Sequence, residues 1–161
     1  MEIYILRHGI AEEGRPGQPD SARRLTGEGK EKLRRVLSTA RAAGVRPGAL
    51  LSSPYVRAVE TAALAREVLQ LDAPIEETEA LTPLESPAGV WDQIRRHRRV
   101  DQILLAGHEP QLSSLVAYLI GAPGEAVEMK KGALARVDLE AWGPQPRGRL
   151  VWLLTAKLAG G

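Results

Sequence analysis

Glu2-Ile3-Tyr4-Ile5-Leu6-Arg7-His8-Gly9 opens with an apolar run that stops abruptly at a guanidinium, an imidazole and a glycine. A short run rich in isoleucine and leucine is typical of a buried strand, and the residues that follow it predict a loop. We therefore expect the side chains of Arg7 and His8 at the carboxyl end of a strand.

The order of strand, loop and helix recurs along the chain. After a glycine- and proline-rich loop over residues 11–25, Thr26 predicts the cap of a helix that stops at Gly44. A second strand over residues 49–52 is followed by Ser53-Pro54, which predicts a cap and a first helical residue. The other predicted elements are a helix end near Leu69, an extended segment over 75–85, a helix over 89–99, a strand over 102–106, a helix from Pro110 through Ile120, and strands over 133–139 and 150–155.

This alternation predicts an α/β fold, a three-layer α/β/α sandwich around a largely parallel sheet. With 161 residues, the chain is expected to form a single domain over 1–161. The connection from Leu71 to Ile103 must supply a strand and a helix from about thirty residues. We therefore expect no large lid insertion.

In sheets of this kind, ligands bind beyond the carboxyl ends of the strands. The polar side chains at those ends are Arg7 and His8 after the first strand, Ser52 and Arg57 after the second, and His108 after the third. Two arginines and two histidines are therefore expected to converge on one site.

Composition excludes several classes of protein. The chain has no cysteine, which rules out disulfides, thiol nucleophiles and cysteine metal sites. Its 22 basic residues face 20 acidic ones without a block of like charge, so no nucleic-acid partner is expected. No apolar stretch reaches membrane-spanning length, and a cytoplasmic protein without a membrane partner is the expectation.

Three motifs resemble those of the histidine phosphatase superfamily, also called phosphoglycerate-mutase-like. They are Leu6-Arg7-His8-Gly9, then Ser52-Ser53-Pro54 with Arg57-Ala58 and Thr61, and then Gly107-His108. Within that superfamily the chain is similar to the SixA-type protein phosphohistidine phosphatases. The segments that carry this closer likeness are Asp20-Ser21-Ala22-Arg23 before Leu25-Thr26, Leu81-Thr82-Pro83, and Gly107-His108-Glu109-Pro110.

The resemblance implies a phosphatase in which His8 is the nucleophile and becomes phosphorylated. One imidazole nitrogen attacks phosphorus, while the other donates to a backbone carbonyl near Gly9 and so sets the tautomer. The guanidinium groups of Arg7 and Arg57 are expected to hold the phosphate and to disfavour a protonated His8. His108 completes this clamp, and no cofactor or metal is implied.

The sequence leaves the roles of several residues open. Arg57 is also spaced to pair with Glu60 on a helix surface. Arg23 matches an arginine of the SixA-type loop, although Arg24 beside it is an alternative, and Ser52 and Gly9 are candidate phosphate contacts. The general acid is one of three carboxylates or is absent; the candidates are Asp20, Glu79 and Glu85.

The expected substrate is a phosphohistidine-containing protein domain, with small phosphate monoesters as the alternative. An arginine-based RNA-binding module is disfavoured because aromatic residues are few. A zinc hydrolase that uses His8, His97 and His108 is disfavoured because the three histidines lack ligand spacing, and His97 is expected on the solvated surface. The sequence does not predict the oligomeric state.

Overall fold

A computed structural model describes residues 1–160 of the chain. In this part of the chain there are six strands, four α-helices and two short 3-10 helices. The strands are β1 (Glu2–Arg7), β2 (Ala49–Ser52), β3 (Ile75–Glu77), β4 (Gln102–Gly107), β5 (Leu134–Ala141) and β6 (Arg147–Leu154). The helices are α1 (Gly27–Ala42), α2 (Val56–Leu69), α3 (Pro87–Arg96) and α4 (Gln111–Ile120), and the 3-10 helices span Asp20–Ala22 and Glu79–Leu81.

The strands form one mixed sheet in the order β3-β2-β4-β1-β5-β6. The first four of these are mutually parallel, whereas β5 runs antiparallel to β1 and β6 runs antiparallel to β5. Between β3 and β4 the chain forms a 3-10 helix and α3, and this connection contains no large insertion. The predicted α/β fold with a largely parallel sheet is confirmed.

Alternation along β1 divides the core between the two faces of the sheet. Ile3 and Ile5 pack into a cluster with buried residues of α3 and α4, such as Trp91. Tyr4 and Leu6 pack on the opposite face against α1 and α2. The period of two along a strand therefore produces the three layers, because successive side chains point to opposite faces.

The loop after β1 is held close to the start of α1. Thr26 caps this helix by accepting the backbone N–H of Gly29 at 3.0 Å, as its sequence position predicts. A Cβ atom on Gly29 would lie 2.4 Å from the carbonyl oxygen of Ile10, so the absence of a side chain lets the loop and the helix meet.

Several element boundaries differ from the prediction. Helix α2 begins at Val56 rather than at Pro54, because the Ser53 hydroxyl accepts the backbone N–H of Tyr55 in a turn that precedes the helix. Helix α4 begins one residue after Pro110. The remaining shifts are small: α3 covers Pro87–Arg96 instead of 89–99, β5 extends to Ala141, and β6 begins at Arg147.

In the described range 1–160, no helix is both long enough and apolar enough to cross a membrane.

Candidate active site

The register of the parallel strands brings the motif residues to one level. Arg7 pairs with Gly107 across β1 and β4, and Ser52 pairs with Ala106 across β2 and β4. The residues that follow these pairs therefore leave the sheet side by side, which places His8 and His108 with ring centroids 5.1 Å apart.

The imidazole of His8 is buried and oriented by the backbone. Its Nδ1 lies 2.7 Å from the carbonyl oxygen of Gly9, an acceptor, so Nδ1 carries the proton and donates it. The other nitrogen, Nε2, keeps its lone pair and faces Nε of Arg57 at 3.4 Å. The ring thus presents an unprotonated nitrogen toward a cation.

Burial is the main reason that His8 stays neutral. It lowers the pKa of the imidazole from 6.5 to about 4, with smaller contributions from the positive charges of Arg57, Arg7 and Lys131. The hydrogen bond to Gly9 acts in the opposite direction. The sequence pointed to the arginines as the cause, but their effect on the pKa is smaller than that of burial.

Arg57 lines the cleft, and its guanidinium is held by contacts with Asp20 and Tyr55. Its Nη1 donates to the carbonyl oxygen of Asp20 at 2.8 Å, and its Nη2 lies 3.0 Å from the Asp20 carboxylate. The guanidinium carbon also lies 5.2 Å from the centre of the Tyr55 ring. Arg57 is 4% exposed, whereas Glu60 binds Arg24 instead, so the helix-surface pair does not form.

His108 is 1% exposed and also lines the cleft. Its Nε2 is 2.7 Å from the hydroxyl oxygen of Ser53, and the Tyr55 ring contacts its imidazole edge-on at 4.9 Å between centroids. Burial, followed by the proximity of His8, lowers the pKa of His108 to about 3. Both imidazoles of the site are therefore neutral at physiological pH.

These residues surround a cleft of about 300 Å³. Its wall is formed by Arg7, His8, Ala11, Asp20, Arg23, Arg57, Pro83, His108, Glu109 and Lys131. Arg7 is anchored by an Nη1 bond of 2.8 Å to the carbonyl oxygen of Met129, while its buried Nε has no hydrogen-bond partner within residues 1–160. The wall carries four cationic side chains against two carboxylates, so an excess of positive charge beside two neutral imidazoles suits a small dianion.

The structure separates the two loop arginines. Arg23 lines the cleft and donates to the Asp20 carboxylate and to the carbonyl oxygen of Glu12, at 2.8 and 2.9 Å. Arg24 is turned outward to Glu60. Arg23 is thus the loop arginine that the fold places beside the cleft.

Two predicted phosphate contacts do not reach the cleft wall. Ser52 is fully buried, and its hydroxyl donates to the carbonyl oxygen of Ser53 at 2.8 Å. The carbonyl oxygen of Gly9 orients His8, and its N–H donates to the Thr61 hydroxyl at 3.3 Å. A Cβ on Gly9 would lie 2.7 Å from the side chain of Leu33, which explains the glycine through packing.

Of the three proposed acids, Asp20 lines the cleft, whereas Glu79 and Glu85 are exposed outside it. Burial tends to raise the pKa of Asp20, but hydrogen bonds from Arg23 and Arg57 outweigh it and hold that pKa below its usual value. Asp20 is therefore a carboxylate in the free protein, engaged as an acceptor rather than available as a proton donor.

Glu109 and Lys131 also line the cleft, and neither was predicted from the sequence. Glu109 directly follows His108, so its position after β4 was a usable signal, and its carboxylate accepts the N–H of Ser113 at 2.8 Å. Lys131 precedes β5, and no local motif marks it. Because β5 is antiparallel to β1, its amino end lies where the parallel strands have their carboxyl ends.

His97 lies apart from the other two histidines. It is half-buried rather than fully solvated, with Nδ1 2.9 Å from the carbonyl oxygen of Gln93 and Nε2 2.7 Å from the carboxylate of Glu76. Over residues 1–160, no group of three or more His, Asp or Glu side chains is arranged to hold a metal ion.

Comparison with known proteins identifies the family of this chain. The family model of the histidine phosphatase superfamily (branch 1) matches residues 3–93. The phosphohistidine phosphatase SixA of Escherichia coli (strain K12) is 31% identical over 146 residues, which cover 89% of this chain and 88% of that protein.

Solved structures show the same fold. A structure of the protein histidine phosphatase SixA complexed with tungstate has a TM-score of 0.86 and 28% identity, with 98% of each chain covered. The α-ribazole phosphatase of Shigella flexneri shares the fold at a TM-score of 0.68 and 20% identity, covering 93% of this chain and 95% of that one. Because the motifs, the family model and these relatives agree, this chain belongs to the histidine phosphatase superfamily and is a phosphatase of the SixA type.

Proposed function

We propose that this phosphatase hydrolyses phosphohistidine on a protein substrate through a phosphohistidine intermediate on His8. The observation that carries the proposal is the orientation of the His8 ring. Its Nδ1–H is held by the Gly9 carbonyl at 2.7 Å, and its unprotonated Nε2 lies beside Arg57 in the wall of the cleft.

In the first step the lone pair of His8 Nε2 forms a bond to phosphorus as the bond from phosphorus to the substrate imidazole breaks. The departing imidazole leaves with the electron pair of that bond and takes up a proton. In the second step a water oxygen forms a bond to phosphorus as the bond from phosphorus to His8 Nε2 breaks. The electron pair of that bond returns to Nε2, the water gives up a proton, and inorganic phosphate and the free imidazole result. Arg7 and Arg57 neutralise the oxygens of the transferring phosphoryl group, and His108 donates a hydrogen bond to it.

The protonation of the leaving group favours phosphohistidine over a phosphate ester as the substrate. An alkoxide leaving group needs a proton donor in the transition state, yet Asp20 is held as a carboxylate by two arginines. The imidazole of phosphohistidine is protonated readily near neutral pH, so its departure does not depend on a dedicated carboxylic acid.

The exposed side chain of Leu84, next to the cleft residue Pro83, supports a protein substrate. Pro83 lines the cleft, and its neighbour Leu84 is 92% exposed. The turn that carries Leu84 is fixed, because the buried side-chain amide of Gln111 donates to the carbonyl oxygens of Ala80 and Glu85 at 2.6 and 3.1 Å. An exposed apolar side chain on this fixed turn offers contact area to a macromolecule that carries the phosphate.

The test measures kcat/KM on two kinds of substrate. One is a protein domain whose histidine has been phosphorylated by treatment with phosphoramidate, and the other is a panel of sugar and nucleotide phosphates. We expect kcat/KM to favour the phosphoprotein by at least roughly a hundredfold, since a small monoester finds few contacts beyond its phosphate. An equal or higher kcat/KM on a common monoester would make the chain a small-molecule phosphatase.

Two variants test whether Leu84 contacts the protein substrate. Leu84→Asp should lower kcat/KM for the phosphoprotein by roughly tenfold and leave that for p-nitrophenyl phosphate unchanged. Leu158, which is 74% exposed but does not line the cleft, provides the control Leu158→Asp, and neither substrate should respond to it. Equal effects of the two substitutions would contradict a contact between Leu84 and the protein substrate.

A further inference from the structure

The imidazole of His108 is left with one unpaired nitrogen. The ring is 1% exposed, and its Nε2 lies 2.7 Å from the Ser53 hydroxyl oxygen. Its Nδ1 is buried and has no hydrogen-bond partner in the part of the chain that the structure describes. His108 lines the cleft, and because Ser53 engages Nε2, Nδ1 is the nitrogen left for a hydrogen bond to the phosphoryl group. The state of Nδ1 therefore decides whether the ring offers that group a donor or a lone pair.

The environment of Ser53 selects between these two states. Its hydroxyl oxygen accepts the backbone N–H of Tyr55 at 3.2 Å, and the residue is fully buried. Within residues 1–160, the acceptor at hydrogen-bond distance from this hydroxyl is Nε2 of His108, at 2.7 Å. If His108 instead carried its proton on Nε2, the Ser53 oxygen would face two donors and its own proton would be left without an acceptor. A buried unsatisfied polar group of this kind is costly.

We propose that Ser53 is a positioning residue that donates its hydroxyl proton to Nε2 of His108 and so holds that imidazole as the Nδ1–H tautomer. The proposal rests on the proposed function of the site, in which His108 donates to the phosphoryl group. It also accounts for the late start of α2 at Val56, because the Ser53 hydroxyl serves the turn at Tyr55 and the ring of His108 rather than capping a helix.

The neighbouring Ser52 supplies a matched control. It is also fully buried, but its hydroxyl donates to the backbone carbonyl of Ser53 and makes no contact with His108. Removing the Ser52 hydroxyl deletes one hydrogen bond, whereas removing the Ser53 hydroxyl deletes two, the bond to His108 and the bond from the Tyr55 N–H. Only the Ser53→Ala variant leaves His108 Nε2 without its donor.

The direct test is nitrogen NMR of the protein labelled with ¹⁵N-histidine, with the His108 signals assigned by their loss in His108→Gln. We expect Nδ1–H in the wild type and in Ser52→Ala, and a mixture of tautomers or Nε2–H in Ser53→Ala. A wild-type His108 protonated on Nε2 would overturn the proposal without any variant, so the test does not depend on Ser53→Ala folding. Because this measurement needs no substrate, its outcome is independent of the activity assay.

Kinetics provide the second readout. Ser53→Ala should lower kcat/KM by roughly 10- to 100-fold on both the phosphoprotein and p-nitrophenyl phosphate, while Ser52→Ala stays within about threefold of the wild type. A wild-type tautomer and kcat/KM in a folded Ser53→Ala would contradict the proposal. Poor activity of the wild type on phosphohistidine would instead contradict the proposed substrate and leave the tautomer result standing.

Discussion

The buried pair His8 and His108 is expected to make the stability of the protein depend on pH. In the folded protein their pKa values are lowered to about 4 and about 3, from the ordinary 6.5. Between pH 6.5 and pH 4 the two histidines therefore bind protons in the unfolded chain but not in the folded protein. The free energy of unfolding must fall as the pH falls.

The size of the effect follows from these pKa values. At pH 5 both rings are still neutral in the folded protein, and the pH lies about 1.5 below the unfolded pKa. Each pH unit in this window is worth ~1.4 kcal/mol per histidine, so acidification from pH 7 to pH 5 should cost ~2 kcal/mol for each ring and ~4 kcal/mol for both. The window stops at pH 5 because most carboxylates begin to protonate below it.

The assay is urea unfolding at pH 7 and pH 5 in the wild type and in His8→Gln. The variant lacks one of the two rings, so its loss of stability between the two pH values should be about half that of the wild type. Any constant destabilisation by the substitution cancels in this comparison. A wild-type unfolding free energy that differs by less than about 0.5 kcal/mol between pH 7 and pH 5 would refute the burial of two neutral imidazoles.

Three further outcomes are expected. Arg57→Lys should lower kcat/KM by at least roughly a hundredfold, since an ammonium cannot replace the planar guanidinium. Arg57→Ala should also move the acid limb of the pH profile of kcat/KM to higher pH, because it removes a charge that lowers the His8 pKa. An unchanged pH profile in steady-state assays would contradict the effect of Arg57 on His8. Gly29→Ala should destabilise the protein by about 2 kcal/mol or more in thermal unfolding, because its Cβ would lie 2.4 Å from the Ile10 carbonyl oxygen. Gly27→Ala is the control and should be neutral, because no atom lies within 4 Å of its Cβ. Similar melting temperatures of the two variants would contradict the close approach at Gly29. Turnover should survive exhaustive chelation with EDTA, because arginine and histidine supply the positive charge, and activity restored by added zinc or magnesium would contradict that reading.

The parts of the fold that were predictable from sequence depend on local patterns. Alternation along Glu2–Arg7 predicted a strand buried on both faces, and the structure places Ile3 and Tyr4 in opposite clusters. The polar residues at three strand ends predicted convergence, because parallel strands end at one edge of a sheet. The register that aligns Arg7 with Gly107 is the physical reason why this inference succeeded.

The parts that were not predictable depend on contacts distant in sequence. For Arg57 the local pattern offered Glu60, three residues away, but the guanidinium is held by Asp20, 37 positions earlier in the chain. The capping motif at Ser53-Pro54 likewise predicted an earlier helix start, because sequence does not reveal that the Ser53 hydroxyl is engaged by His108, 55 positions later. Lys131 reaches the cleft because β5 is antiparallel, and no local pattern encodes that direction.

Trapping the phosphorylated enzyme shows directly whether His8 accepts the phosphoryl group on Nε2. The wild type is mixed with phosphoprotein, quenched in alkali within milliseconds, and analysed by mass spectrometry and by ¹⁵N and ³¹P NMR. We predict an acid-labile, alkali-stable phosphoryl group on His8, bonded to Nε2, because Nδ1 is committed to the Gly9 carbonyl at 2.7 Å, and none in an inactive His8→Ala. Phosphate bonded to Nδ1 or to a serine, or a fully active His8→Ala, would contradict the account.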